Sequence, residues 1–292
     1  LARSKPVITC LIAQTIYSAG TIQTRNYLSN NLNPANPGSL GNAIELLAQA
    51  IYVSGRLASN ASQGVAGDIK LTATTISLRP EAQLEANGEE GGRITIAAND
   101  SLWSSATIQA NGGNGRGGTI AINAANDQFY TQASILANGT TDGGAITTPT
   151  ASGDIDFTNT LIQTNGSTGR GGSIGISGAN STTLIASKVN AQGWSQGGTI
   201  LLGNDAQHGT LPFALLMSLD DRTVIDASVT DVNNLSAGGL IETSGAVLNL
   251  LASINAGRGG MWLIDPYDFT IGATEAAAIV TALNTQNVTI SK

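Results

Sequence analysis

The chain has one cysteine, Cys10, and one histidine, His208, among 292 residues. A lone cysteine excludes an internal disulfide, and one Cys with one distant His gives no case for zinc. A Ser-His-Asp triad would have to use His208, and no G-x-S-x-G stands between a strand and a helix as a nucleophile elbow does. Charged residues make up 11% and aromatics 4%. The net charge of −7 repels polyanions, so nucleic acid is not expected as a partner. So sparse a charge also protects little against self-association. No apolar run reaches membrane-spanning length. Arg3 and Lys5 precede "PVITCLIA", a run short for a signal peptide, and a first β-strand is expected there instead.

What is abundant is glycine, 36 residues, with 41% hydrophobic residues and much Thr, Ser and Asn. That is a vocabulary of strands and tight turns. Gly-x-Ile recurs at Gly67, Gly92, Gly118, Gly144, Gly172, Gly198 and Gly239, at intervals of 25, 26, 26, 28, 26 and then 41. A variant, "GMWLI", follows at Gly260. A second marker, typified by "IQANG", ends at Gly88, Gly112, Gly139, Gly166 and Gly193 in the same phase. Within a unit such as Gly118 to Gly139, apolar residues alternate with polar ones, the period of a strand with one buried face. No unit carries a helix-length pattern.

Units of about 26 residues predict an all-β parallel β-helix, with rungs about 4.8 Å apart. Ile94, Ile120, Ile146, Ile174 and Ile200 then form an inward ladder, and Ile96, Ile122, Ile176 and Leu202 a second. Asn87, Asn111, Asn138 and Asn165 recur at one turn, with Gln192 next, and stacked amides can bond along the axis. A β-propeller needs four strands in about 40 to 50 residues per blade, more than these units hold. The ladder, the glycine-asparagine turns and "GRGGMWLIDPYDFTIGATEAAAIVTALNTQNVTIS" (Gly257 to Ser291) carry a family likeness. From Gly67 onward the chain resembles the filamentous-haemagglutinin-like exoproteins of two-partner secretion. The shared elements are Trp262, Ile264, Asp265 and Pro266, an Ala-rich segment Thr274 to Leu283, and "NVTI". The resemblance implies a right-handed parallel β-helix, secretion, and adhesive or structural work outside the cell.

Three regions follow: an irregular capping segment 1–66, the repetitive part 67–260, and a C-terminal rung, helix and strand over 261–292. "NLNPANPG" (Asn31 to Gly38) loosely matches the family's Asn-Pro motifs. Asn42 to Ala50 is the best helix candidate near the N-terminus, giving short helices near both ends. The repeat breaks near 203–223, where Phe213, Leu215, Leu216, Met217 and Leu219 form an apolar group. It is either a flap or an irregular rung, or a protrusion that docks on another chain. Trp103 and Trp194, near turns, are candidate contact residues for a glycan; Trp262 replaces a ladder Ile and is expected in the core. Asp154 and Asp156 share a strand face, but the acidic residues do not recur in phase, so no catalytic pair, metal or cofactor is expected. Arg116, Arg170 and Arg258, each in a GRGG, are expected to form a shallow basic stripe. The expected role is an extracellular rod, structural or adhesive, whose partners are further copies stacked end to end or cell-surface components. The alternatives are a carbohydrate-binding or carbohydrate-cleaving β-helix and a segment of a longer adhesin. A groove of aromatic and acidic side chains would mark the carbohydrate reading.

Overall fold

The computed structural model describes residues 8–24, 43–150, 152–204, 211–231, 233–234 and 237–291. The chain winds into a parallel β-solenoid. One turn shows the plan: Thr119–Ala124 on face 1, Gln128–Thr131 on face 2 and Ser134–Leu136 on face 3. Among the described residues, faces 1 and 2 merge into an 18-stranded sheet, and face 3 is a separate sheet of nine strands, one per turn.

The inward ladder of face 1 runs Ile44, Ile69, Ile94, Ile120, Ile146, Ile174, Ile200, Ile241, Trp262, each paired in register with the next. All nine are buried, and a fully buried Ile contributes about 1.5–3 kcal/mol. Trp262 fills an Ile position as its sequence context implied, and its indole N–H donates to Thr243 Oγ1 at 3.0 Å. Face 3 repeats the device with Leu57, Leu84, Ile108, Ile135, Ile162, Val189 and Ile225. Some polar residues inside are paired within the stack, whereas the buried Thr148 and Thr164 hydroxyls have no hydrogen-bond partner among the described residues. On face 2 the Tyr130 hydroxyl donates to Gln128 Oε1 at 2.6 Å, and Gln128 Nε2 donates to the Pro149 carbonyl at 2.8 Å. Burial pushes the Tyr130 phenol pKa well up, and its ring stacks on Phe157 at 4.3 Å.

The N-terminal expectation needs correction. No helix covers the described part of the Asn42–Ala50 candidate; Ala43–Val53 is one long strand. It pairs with Ile8–Ser18 on one side and with the next turn's strands on the other. Ala, Leu and Glu favour helix locally, but two-sided strand pairing and core burial outweigh that preference. The inward residues shift from Ile44 and Leu46 to Ile51 and Val53, a change of parity that marks the bend from face 1 to face 2. Among the described residues, regular pairing already includes Ile8–Ser18, ahead of the boundary expected at residue 67. The Asn31 to Gly38 motif and His208 lie outside the described residues.

The break near 203–223 is part flap, part ordinary rung. Leu216–Leu219 is a regular face 2 strand between its neighbours. Ahead of it, the Pro212 carbonyl accepts from the buried Ser177 hydroxyl, and Leu211 lies over Gly175. This short crossing rests on the outer surface of face 1, where Gly175 and Ser177 are small enough to admit it. At the other end the helix Ala273–Leu283 packs against Ser253–Asn255, the last face 3 strand, and Asn287–Ile290 continues face 1. The Gln286 amide bonds both Ile254 and Ala256 of that edge, donating from Nε2 to one carbonyl and accepting at Oε1 from the other N–H. A side chain thus supplies what a further strand's backbone would.

Candidate functional site

The Asn residues picked out by their recurrence form a ladder, but not amide to amide. Each Asn Oδ1 accepts the backbone N–H of its counterpart one rung on. Asn87 serves Asn111 at 2.8 Å, Asn111 serves Asn138 at 2.9 Å, Asn138 serves Asn165 at 2.8 Å and Asn165 serves Gln192 at 2.9 Å. The ladder starts earlier than the repeat indicated, with Asn60 serving Asn87 at 2.8 Å. Next to that start, Glu85 takes a two-pronged contact from Arg56, Nε at 2.9 Å and Nη2 at 2.6 Å, plus Asn60 Nδ2 at 2.8 Å. The Arg56 hydrogen bonds hold the Glu85 carboxyl below its usual pKa against the opposing effect of burial. These groups, like the isoleucine ladders, hold rungs together.

The corner after the Asn turn explains the glycine pairs. A Cβ on Gly117 would lie 2.1 Å from the Ala137 carbonyl oxygen, and one on Gly118 2.1 Å from that of Gly92. Glycine is required there for close approach between rungs. Just before each pair the side chains run Glu90, Arg116, Asp142, Arg170, Gln196, linked rung to rung by backbone hydrogen bonds. The expected basic stripe is thus an alternation of charge: Arg116 Nε lies 3.3 Å from Asp142 Oδ2, and Asp142 Oδ1 accepts the Arg170 N–H at 2.9 Å. Arg258 sits two rungs beyond Gln196, past Ala237. Gly193 to Gly197 spells G-W-S-Q-G, yet it is one of these corners and leads into the strand Thr199–Leu202, with no helix to form an elbow.

The proposed contact residues scatter. Met217 is fully buried, because it occupies an inward position of face 2 beside Thr182 and Leu248, and Leu216 is half-buried. Phe213 and Leu215 are exposed at the flap, and Trp194 is exposed at the corner after face 3. Trp103 is exposed on face 2, on a different side from Trp194. Its neighbours were not foreseen. Outward positions of face 2 align as Tyr17, Tyr52, Ser77, Trp103, Phe129, Asp156 and Thr183, each register partner to the next. Tyr17 and Tyr52 stack at 4.9 Å and 9°, and Trp103 and Phe129 at 6.2 Å and 23°. Three carboxylates lie close by, Asp127 ahead of Phe129 in the same turn and Asp154 and Asp156 on the next. Asp127 Oδ1 accepts the Asp154 N–H at 3.0 Å, and Asp154 Oδ1 accepts from Asn180 Nδ2 and Ser181 Oγ, each at 2.7 Å. Burial, with the charges of Asp154 and Asp127 adding to it, raises the Asp156 pKa despite a hydrogen bond from Thr183. The row was legible in principle, since its members are 25 to 27 residues apart from Tyr52 to Asp156.

Among the described residues no group of three His, Cys, Asp or Glu is placed to hold a metal ion, and no helix is long and apolar enough to cross a membrane. No protein-family model and no curated protein sequence matches the chain. Among solved structures, the HMW1 secretion domain from Haemophilus influenzae is similar, with a TM-score of 0.40 and 16% sequence identity over 97% of this chain and 92% of that one.

Proposed function

We propose that the chain is an extracellular, non-catalytic rod with a structural or adhesive role. The observation that carries this reading is the rung-to-rung pairing of about nine turns among the described residues, with the backbone and the face 1 inward ladder in register throughout and the asparagine ladder running from Asn60 to Gln192. At about 4.8 Å per rung such a stack is roughly 40 Å long, a stiff spacer that presents flat outer faces. The C-terminal Trp-Leu-Ile-Asp-Pro element and its family resemblance support secretion. Low charge density supports contact with further copies, and pairing through an exposed strand edge would be a head-to-tail contact that builds fibres. The test is twofold. Fractionation of the producing cells should recover the chain at the surface or in the medium. Electron microscopy of the purified chain should show rods that lengthen with concentration. A chain confined to the cytoplasm overturns the extracellular role, and isolated short rods at every concentration overturn end-to-end assembly.

A further inference from the structure

We infer that the outer surface of face 2, from Tyr52 to Asp156, binds a neutral polysaccharide chain laid along the solenoid axis. The inference rests on the adhesive reading above and names the partner it would serve.

Four of the chain's few aromatics stand in one outward row, and the row has one interruption, Ser77. Tyr52 and Trp103 flank it, two rungs or about 10 Å apart along the axis. Each flanking ring stacks on an aromatic beyond it, Tyr17 behind Tyr52 and Phe129 behind Trp103. The pairs hold both rings in place before any ligand arrives, so little side-chain entropy is lost on binding. The notch over Ser77 leaves one rung, about 5 Å along the axis, without a ring between the two aromatic pairs. Trp103 remains 46% exposed and Tyr17 77% exposed, apolar area that nothing in the described residues covers.

The polar half of the site lies at the end of the row. A sugar presents C–H groups on its faces and hydroxyls at its rim. Rings take the first, and carboxylates or amides accept from and donate to the second. Asp127, Asp154 and Asp156 stand next to Phe129, with Asn180 and Ser181 at their edge. None of the row's positions is Lys or Arg. Three carboxylates and a net charge of −7 oppose sulfated or uronic acid chains. Neutral glycans are therefore the favoured class.

The experiment is a glycan array followed by calorimetry on the full chain, using neutral gluco-, manno- and galacto-oligosaccharides of one to six units beside sulfated and uronate chains. Affinity should rise from mono- to tetrasaccharide in a neutral series. Trp103→Ala should lower it at least tenfold, while Trp194→Ala, an equally exposed tryptophan on another side, should leave it unchanged. Ser77→Phe keeps the row continuous and fills the notch, so it should abolish binding in a chain that still folds. Absence of neutral-glycan binding, preference for acidic chains, or full binding by Ser77→Phe overturns the inference. Surface-localised rods that bind no glycan would cost this inference alone, whereas a cytoplasmic chain would remove the extracellular role itself.

Discussion

Gly113 and Gly117 belong to the same loop, "NGGNGRGG", and differ in one physical respect. Neither has positive φ, so replacing either with Ala restricts the unfolded chain alike and on that count stabilises by about 0.4–1 kcal/mol. A Cβ on Gly113 would meet the Gly88 carbonyl oxygen at 3.4 Å, near ordinary contact. A Cβ on Gly117 would lie 2.1 Å from the Ala137 carbonyl oxygen and 2.6 Å from the Gly144 nitrogen. Those two atoms bond each other at 2.7 Å. Gly117→Ala must therefore push the rungs apart, at about 1–3 kcal/mol for overpacking, and weaken that bond, which closes the corner of the next rung, about 1 kcal/mol more. Net of the unfolded-state gain, Gly117→Ala should destabilise by about 1–3.5 kcal/mol and Gly113→Ala by nothing. Urea unfolding by circular dichroism, with amide hydrogen exchange to localise the loss, measures both, since a stack of repeats need not unfold in one step. Midpoints of the two variants agreeing to within about 0.5 kcal/mol would refute the close-approach argument for the whole series of glycine pairs.

Asn111→Ala strips the acceptor from the Asn138 N–H and should cost about 1–2 kcal/mol in the same assay, with Asn111→Asp recovering most of it. Trp262→Phe leaves the buried Thr243 hydroxyl without its indole donor. It should cost about 1–3 kcal/mol, and adding Thr243→Val should return part of that stability, because removing both partners is milder than removing one. The lowered pKa of Glu85 means its contribution is present above the ordinary carboxylate range and is lost as pH falls through the depressed value. Glu85→Gln should flatten that acid limb by about 1 kcal/mol after solvent screening. Asp156, with its raised pKa, has the opposite sign: stability falls as pH rises from the ordinary Asp value through the raised one. Asp156→Asn should remove that fall, read from unfolding midpoints across the acid range.

Local alternation and a period of about 26 were enough to derive the solenoid, the isoleucine ladders and the burial of Trp262, because in–out alternation is a property of each strand by itself. They were enough to find the Asn turn too, though not its chemistry: whether Asn111 Oδ1 meets an amide or a backbone N–H depends on the height of the next rung. Only the assembled stack decided the rest. Ala43–Val53 is a strand because strands pair on both of its sides. Met217 is buried because the flap ends before it and ordinary rung pairing resumes at Leu216. Arg116 faces Asp142, and Tyr52, Ser77, Trp103 and Phe129 stand in one row, because corner lengths fix which residues of successive turns become neighbours. Alternation along a strand tells which way a side chain points. Its neighbours across strands are set by register, and register is a property of the stack.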